Sequence, residues 1–537
     1  MAYVASQVVA ASRNIIFWDE FDAALDLILK IDSGIGWQEI LHRFFAVSNE
    51  HRMVTSRALF AVSYWTTGTV NFHAIAAIGN SFIVIACLLM VWAQRNFAAR
   101  IRLGLILALL VFQLEHFENF LWSGASIDHF QVVMFAAGAG VALTRRSRVG
   151  LALGTACAIL ATFTLAHGLV VWPLGVLTLW YQRRWRAVGP WLAVALLAVT
   201  AFFHGFELNP GHRINAIDFA TFAQLGHFWL SLLGAPCTFG DTALAALPGV
   251  LLLGGFTGLA LRGIRRSELT AWFIAGFGVC SLMLVAIGRS ELAGTQVNSR
   301  YMILAALAWA MLIHLTLGRI SNPRRPLALM LPVLPVLVAF NCAANIRFAP
   351  MVDAFLEVRE RAASGFKQYG EDGRGIVSLH PQKGHADTLL KQAAARGIYR
   401  LPRMSEVVAM PKATVSQRVI AHVDETLVND RAITIGGWGM IPGIESKRGQ
   451  VFVVLKSESQ TLFLSTITLQ RPDVAKAYNE PLWKMSGFRA VFRRTRIPAD
   501  NYQIGVLIRL GRTTEYVMTK SRLVLGPEAT TPLASVE

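Results

Sequence analysis

Long apolar segments alternate with short polar ones over the first 345 residues. A helix needs roughly 20 residues to cross the hydrocarbon core of a bilayer, and ten segments meet that length, some of them marginally. They are 69–93, 101–115, 129–144, 149–166, 168–181, 190–206, 242–261, 270–288, 301–318 and 326–345. The pattern predicts a polytopic α-helical membrane protein with about 10–11 transmembrane helices.

The upper number reflects the N-terminus. Residues 1–16 are mildly apolar but are interrupted by polar side chains, so they are too short and too polar to span, and they lack the features of a signal peptide. Ten spans would leave both termini on the outer side. The alternative, which we favour, is that a further helix precedes the start of the sequence.

Residues 17–66 change from a spanning pattern to an amphipathic one. Apolar positions recur at helical spacing in 22–29 and again in 37–45, with a turn signal at 33–36 between them. Two short helices lying along the membrane surface are predicted. Segment 207–241 has a similar helical pattern and is predicted to be a surface or re-entrant helix that could line a groove for a lipid donor.

The composition changes again after residue 345. A polar, helical region at 346–405 is followed by seven short β-branched stretches, which predict a β-sandwich. These stretches are 418–423, 432–436, 451–455, 461–466, 488–492, 502–508 and 516–519. The predicted domains are therefore 1–68, 69–345, 346–405 and 406–537.

Charge gives the orientation. Apolar residues make up 54% and charged residues 15% of the chain, which excludes a soluble globule of this size. The net charge of +17 does not indicate nucleic acid, because the arginines recur in small groups between apolar segments. Connections after odd-numbered spans contain fifteen of these arginines and the others three, so the odd connections are predicted to be cytoplasmic. The first loop, segment 207–241 and the C-terminal region then face the periplasm of a bacterial inner membrane.

The outer side contains the candidate chemistry. Asp19, Glu20 and Asp22 form an acidic cluster beside the bilayer, where an acid without a function is costly, so one of them is predicted to be a catalytic base. Further on, the outer segments combine acids, imidazoles, guanidinium groups and aromatic rings. These residues are Glu50, His51, Arg52, Arg57, His116, Glu118, Trp122, His167, Arg289, Arg300 and Tyr301.

Each group has a functional and a structural interpretation. The stretch from Glu50 to Arg57 suits an anionic headgroup or sugar phosphate, or else forms an interfacial salt-bridge cluster. His116, Glu118 and Trp122 suit sugar binding, or else belong to an interfacial aromatic belt. Arg300 with Tyr301 suits phosphate, or else anchors the helix. A lone His167 is more often structural, although the neighbouring Gly168 would permit close backbone approach to a ligand.

These motifs resemble the GT-C superfamily of integral-membrane glycosyltransferases, in particular bacterial relatives that decorate O-antigen. The resemblance rests on Trp18–Asp22 in a long first outer loop, Glu50-His51-Arg52 before the next span, and a terminal outer domain. It implies a polyprenyl-phosphate sugar donor and an acid of the first loop as base, with Arg300, Tyr301, Arg52, Arg57 and Arg289 as candidates for the donor phosphate. It implies Glu50, His51, His116, Glu118, Trp122 and His167 as candidates for sugar or acceptor binding.

Transfer with inversion is consistent with this residue set, since one carboxylate takes the acceptor proton and cations stabilise the departing lipid phosphate. No metal is predicted to be required, although a divalent ion is possible, because no dedicated ligand spacing occurs. The five cysteines indicate no disulfide framework. The acceptor is predicted to be a cell-envelope glycan such as lipopolysaccharide.

Two alternatives remain. A polysaccharide polymerase or O-antigen ligase also acts on lipid-linked glycans at the outer face, but is expected to use a large late loop. A transporter is expected to place charges midway through its spans, whereas here they lie at span ends. The region after residue 345, with 27 Lys/Arg against 18 Asp/Glu, could bind an anionic glycan through Trp438 or Trp483, or could act as a lid.

Overall fold

The computed structural model describes most of the chain. The described residues are 2–48, 50–206, 219–289, 297–320, 327–369, 379–402, 407–408, 414–429, 432–446, 449–510 and 513–526. They divide into two compact units. The first comprises Met1–Leu356 and Thr388–Leu401, and the second comprises Glu357–Asp387 and Pro402–Glu537.

Helices dominate the first unit. In chain order they are α1 Ala2–Ala11, α2 Leu27–Asp32, α3 Trp37–Phe45, α4 Val54–Thr67, α5 Phe72–Trp92, α6 Phe97–Leu110, α7 Phe117–Leu121, α8 Ser123–Ala125, α9 Gln131–Thr144, α10 Arg148–Thr162, α11 Val171–Tyr181, α12 Trp185–Phe203, α13 Phe219–Gly234, α14 Thr242–Leu261, α15 Leu269–Gly288, α16 Ser299–Ile320, α17 Met330–Tyr369 and α18 Lys383–Ala395. Two π-helical turns, Phe21–Asp26 and Ser126–Phe130, precede α2 and α9.

Seven of the described helices are long and apolar enough to cross a membrane by length and composition. They are Phe72–Trp92, Ser123–Thr144, Trp185–Phe203, Thr242–Leu261, Arg266–Gly288, Ser299–Ile320 and Met330–Glu360. The predicted span at 101–115 qualifies only as a bent pair, α6 with 114–121, with a 58° angle at the break. The predicted spans at 149–166 and 168–181 correspond to shorter apolar helices. The described residues thus contain seven helices that could cross a membrane, or eight with the bent pair, against the ten spans that the sequence predicts.

Polar residues at the ends of the apolar segments determine where the helices begin. Asn71 accepts a hydrogen bond from the Ala74 amide at the start of α5, and Asn96 accepts one from Ala99 at the start of α6. Ser147 does the same for Gly150 in α10. Each cap satisfies a backbone donor that has no partner within the helix.

The predicted surface helix of segment 207–241 corresponds to α13. Residues 207–218 of this segment lie outside the described part of the chain. Trp229 of α13 donates to the Val279 carbonyl of α15 at 3.0 Å. Gly234 lies so close to the Ala245 carbonyl of α14 that a Cβ atom would be 1.8 Å from it. The helix therefore packs against other helices of the first unit. Of the predicted loop 289–300, residues 290–296 also lie outside the described part.

The second unit is rich in strands. They are β1 Val407–Val408, β2 Thr414–Val415, β3 Ile420–Val428, β4 Ala432–Met440, β5 Gln450–Lys456, β6 Thr461–Ser465, β7 Ile467–Leu469, β8 Gly487–Arg493, β9 Asn501–Leu510 and β10 Thr513–Val524, with a short helix α19 Pro472–Ala477 between β7 and β8. One sheet has the order β1-β6-β5-β9-β10-β2 and the other β3-β4-β8-β7.

Both sheets contribute to one hydrophobic core. Ile435 and Phe488 from the second sheet cluster with Val453 and Val506 from the first, and all four are completely buried. All seven predicted strands are present, and the sequence missed only the two-residue or three-residue strands β1, β2 and β7. Trp483 is buried at 5% exposure, so stacking of its ring on a sugar from solvent is excluded, whereas Trp438 is half-buried.

Candidate active site

One cavity of about 250 Å³ lies at an end of the helical bundle in the first unit. Helices α12 and α15 end there and α16 begins there. The lining residues are Asp19, Glu50, His51, Met53, Trp122, Ala125, Asp128, His129, Leu165, Ala166, His167, Leu169, Phe202, Phe203, Phe206, Leu284, Val285, Ile287, Gly288, Arg289, Arg300 and Tyr301. Eight predicted site residues are among them: Asp19, Glu50, His51, Trp122, His167, Arg289, Arg300 and Tyr301.

Asp19 is the one residue of the acidic cluster that lines the cavity. It lies between Trp18, whose φ of 49° is left-handed, and Glu20, whose carboxylate is buried. Left-handed backbone at a residue other than glycine is unfavourable and persists only where surrounding contacts hold it. The turn at Trp18 thus directs the chain so that Asp19 reaches the cavity while its neighbours pack elsewhere.

Glu20 anchors this turn. Its carboxylate accepts hydrogen bonds from the amides of Phe17 and Gly124, each at 2.7 Å, and from the Ser123 hydroxyl. Asp22 lies outside the cavity on the exposed side of the π-helical turn Phe21–Asp26. Of the three predicted candidates for the base, geometry favours Asp19.

Arg300 forms the cationic wall nearest to Trp122. Its guanidinium carbon lies 5.6 Å from the centroid of the Trp122 ring and 5.2 Å from that of Tyr301. Glu118, behind the cavity, lies 3.8 Å from the Arg300 guanidinium and accepts from its backbone amide at 3.0 Å. Asp19 interacts electrostatically with Arg300 as well. Glu118 is therefore placed as a support for Arg300, outside the cavity lining.

Arg289 and Glu50 form a second pair on the cavity wall, with 3.6 Å between guanidinium nitrogen and carboxylate oxygen. The backbone around Glu50 is unusual, since Glu50 has φ of 65° and Met53 has φ of 49°. Three of the left-handed residues other than glycine, Trp18, Glu50 and Met53, thus occur in the two short segments that bring carboxylates to the cavity. Strained backbone of this kind concentrates at functional sites.

Arg52 and Arg57 do not line the cavity. The guanidinium of Arg52 donates to the Phe202 carbonyl at 2.9 and 2.6 Å and also to the carbonyls of Phe45 and His204. Arg57 donates to the carbonyls of Phe44, Ala46 and Arg52 at 2.6–3.0 Å. Burial lowers the pKa of Arg57 to about 10, which leaves it charged at neutral pH. Both arginines satisfy backbone acceptors at the C-terminal end of α3.

Three imidazoles follow one another across the cavity. The ring centroids of His51 and His167 are 6.2 Å apart, those of His167 and His129 are 6.1 Å apart, and His129 lies 5.8 Å from Tyr301. His51 Nδ1 accepts from the Ala166 amide at 3.3 Å, so its proton is on Nε2. Burial lowers the pKa of His51 to about 3, and charge on His167 and Arg289 acts in the same direction. His51 is therefore neutral at physiological pH.

Several buried nitrogens on the cavity wall lack partners in the described part of the chain. They are Nδ1 of His129, Nδ1 of His167 and the indole Nε1 of Trp122, in side chains that are 5–8% exposed. Buried polar atoms are rarely left without a hydrogen bond, and an exception calls for a water or ligand. The cavity wall thus offers nitrogen atoms that could form hydrogen bonds with a polar molecule.

Two residues that the sequence singled out, His116 and Gly168, contact the protein itself and not the cavity. His116 is completely buried, with Nε2 3.2 Å from the Leu110 carbonyl, and does not line the cavity. Gly168 lies against the end of α10, where a Cβ atom would be 1.9 Å from the Ala161 carbonyl. The close approach expected at Gly168 is made to the chain itself.

Sequence reasoning missed Asp128 and His129, which belong to the π-helical turn Ser126–Phe130, and the aromatic wall formed by Phe202, Phe203 and Phe206. Ser56 donates a hydrogen bond to Asp128, and Asp19 interacts with it electrostatically. Asp128 and His129 are two ionisable residues at the start of an apolar segment, and this pattern could have indicated that they are functional. π-Helical turns are frequent at functional sites.

Comparisons with protein families, curated proteins and solved structures found no match to this chain. The function must therefore be argued from the cavity itself. Within the described residues, no group of three or more His, Cys, Asp or Glu side chains has the arrangement of a metal site. The cavity combines the carboxyl groups of Asp19, Glu50 and Asp128 with two guanidinium groups, three imidazoles and aromatic rings.

Proposed function

We propose that the chain is a membrane glycosyltransferase of the GT-C type. It moves a sugar from a polyprenyl-phosphate donor to a cell-envelope glycan, such as O-antigen or lipopolysaccharide, on the periplasmic face of the inner membrane. The observation that carries the proposal is that Asp19 shares one cavity with Arg289, Arg300 and Trp122. A base, cations for a departing phosphate and a ring for a sugar face are the groups that this reaction needs.

The proposed reaction is a single displacement with inversion. Asp19 accepts the proton of an acceptor hydroxyl, and the hydroxyl oxygen forms a bond to the anomeric carbon as the bond from that carbon to the phosphate oxygen breaks. The electron pair of the broken bond stays on the lipid phosphate. Phosphate is a good leaving group without protonation, so cationic stabilisation by Arg300 and Arg289 takes the place of a general acid.

The surroundings of the cavity suit a substrate with one apolar and one polar end. Phe202, Phe203 and Phe206 line the cavity together with the arginines and histidines. The nearby α3 exposes Trp37, Leu41 and Phe45, which recur every four residues and are 44–67% exposed. Such a face suits the headgroup region of a bilayer, which supports entry of the donor from the lipid.

The periplasmic placement and the proposed β-sandwich are supported by observations away from the site. Periplasmic placement rests on the arginine-rich connections at the other end of the spans. In the second unit, a sandwich is favoured by the shared core of the two sheets. The half-buried Trp438 contacts the exposed Tyr478, with 5.7 Å between ring centroids, and this pair is the proposed glycan contact of that unit.

The test is mass spectrometry of the envelope glycan from a deletion strain that is complemented with variants. Wild type restores one sugar unit to the glycan, Asp19→Asn does not, and Asp22→Asn does. Asp22→Asn is the matched control, since the same change is made three residues away outside the cavity. Restoration by Asp19→Asn would refute the assignment of the base. Loss of chain length in the deletion strain would indicate a polymerase or ligase instead.

A further inference from the structure

Thr388–Leu401 belongs to the first unit, although the chain on both sides of it belongs to the second. It follows the last apolar helix in sequence, yet its hydrogen bonds reach residues 14–32, the segment that contains Asp19. These contacts join parts of the chain separated by more than 360 residues, so they form only when the chain folds, at an entropic cost that grows slowly with separation. The question is what this segment holds in place.

Tyr399 makes the contact on the N-terminal side of Asp19. Its hydroxyl oxygen accepts from the Ile16 amide at 3.0 Å and donates to the Asn14 carbonyl at 2.9 Å. The ring of Tyr399 packs edge-on against Phe72 at 5.1 Å between centroids. Asn14 is fixed a second time, because its side chain accepts from the Phe72 amide at 2.8 Å. Ile16 is completely buried, so the bond to its amide cannot be replaced by bulk water.

Arg396 makes the contact on the C-terminal side. It donates to the Leu29 carbonyl and to the Asp32 carboxylate, both at 3.1 Å. Tyr64 donates to the other oxygen of Asp32 at 2.6 Å. These two hydrogen bonds, that of Tyr64 first, hold the pKa of Asp32 below its usual value, so the Asp32 carboxylate is ionised at neutral pH. Segment 14–32 is thereby held at both ends.

Ile16 is only three residues from Asp19. The intervening turn contains the left-handed Trp18, which requires external contacts to persist. Glu20 fixes the turn on one side through Ser123 and Gly124, and Tyr399 fixes it on the other. Removing the Tyr399 hydroxyl would leave the buried Ile16 amide and the partly buried Asn14 carbonyl without this partner.

We propose that Tyr399 is a positioning residue that holds the Asp19 carboxylate at the reactive end of the cavity, with Arg396 as the second point of a clamp on segment 14–32. The role of Asp19 in this inference rests on the proposed function. The clamp itself rests on the contacts alone.

The test compares Tyr399→Phe with Tyr181→Phe in the full chain reconstituted in nanodiscs. Tyr181 is the matched control, since its hydroxyl also donates to a backbone carbonyl, that of Ile264, between elements that do not carry Asp19. The donor probe is a lipid extract of the wild-type strain, and the acceptor probe is glycan from the deletion strain. A small misplacement of a reacting group lowers rates by about ten- to a hundredfold. Tyr399→Phe is therefore expected to lower kcat by that factor with KM for the donor unchanged, and Tyr181→Phe to leave both unchanged.

Hydrogen exchange supplies a readout that needs no substrate. Amides of residues 14–22 are expected to exchange faster in Tyr399→Phe than in wild type, and at the wild-type rate in Tyr181→Phe. Unchanged exchange and unchanged kcat would overturn the clamp. Faster exchange with no activity in any preparation, wild type included, would retain the clamp and refute the proposed function. If Tyr399→Phe does not fold, Arg396→Ala, at the more exposed contact, gives the same comparison with a smaller expected effect.

Discussion

Residues of the same type have different environments in this protein, and their partners distinguish them. Arg52 and Arg57 donate to backbone carbonyls, whereas Arg289 and Arg300 line the cavity opposite carboxylates. Sequence reasoning found all four because each follows or precedes an apolar segment on the predicted outer side. It could not distinguish the two structural arginines from the two in the cavity, since the Phe202 and His204 carbonyls that Arg52 binds lie about 150 positions away and become neighbours only on folding.

This difference predicts that two conservative changes affect different properties, one the transfer rate and the other the stability. Arg300→Lys is expected to lower the transfer rate by about tenfold or more, because a lysine cannot bind two phosphate oxygens as the planar guanidinium does. Arg52→Lys is expected to lower the thermal midpoint instead, because carbonyls that shared the guanidinium lose their donor. Transfer rate and midpoint are measured for both variants. Equal loss of stability in the two would contradict the distinction between them.

His51 predicts a pH dependence of stability. Its folded pKa of about 3 lies below the unfolded value of about 6.5, so above pH 6.5 the group is neutral in both states and has no effect. As the pH falls from 6.5 towards 3, the unfolded chain binds a proton that the folded chain does not. Stability falls by up to about 1.4 kcal/mol per pH unit through this group.

His51→Asn removes the titration and retains an acceptor for the Ala166 amide. The thermal midpoint of this variant is expected to fall less between pH 7 and pH 5 than that of the wild type. His42, which is exposed, serves as the control position, and His42→Asn is expected to keep the wild-type pH dependence. If the thermal midpoint of His51→Asn falls between pH 7 and pH 5 as much as that of the wild type, His51 is excluded as the group responsible.

At the scale of elements, the sequence predicts long apolar helices and strands of five or more residues well, because periodicity over many residues is a strong signal. The short elements around the cavity are different. The π-helical turns Phe21–Asp26 and Ser126–Phe130 have no sequence signature and are imposed by packing, and they determine where Asp128 and His129 lie. A mostly helical region followed by a separate β-rich domain could therefore be read from the sequence, whereas the far wall of the cavity could not.

Close packing of residues 166–170 against the end of α10 predicts the effect of a substitution at Gly168. Gly168→Ala would push a Cβ atom to 1.9 Å from the Ala161 carbonyl, so residues 166–170, and His167 with them, must move. Lower thermal stability and reduced transfer are expected. Gly189→Ala in α12 is the control, since no atom lies within 4 Å of its Cβ position, and alanine is favoured over glycine by roughly 0.5–1 kcal/mol in a helix. A stable and active Gly168→Ala would contradict the packing argument.

At the scale of the whole molecule, orientation across the membrane is the property on which the proposed function depends. The arginine-rich connections predict that the start of α12 is cytoplasmic and that α3 is periplasmic. Cysteines placed at the exposed positions Arg186 and Gln38 test this with an impermeant thiol reagent, after the five native cysteines have been replaced by serine. Labelling of intact cells is expected at position 38 only. Labelling at position 186 only would show that the orientation is the reverse of the predicted one, and would refute transfer to an acceptor in the periplasm.

The clamp on segment 14–32 also has a consequence for biosynthesis. Asp19 is translated well before Tyr399 and Arg396, which emerge from the ribosome only after the apolar helices α5 to α17 have been made. Until then the turn at Trp18 lacks one of its two supports. A nascent or truncated chain that ends before residue 396 is thus expected to insert into the bilayer without a completed site, so that the newly made protein becomes competent only after residue 399 has been translated.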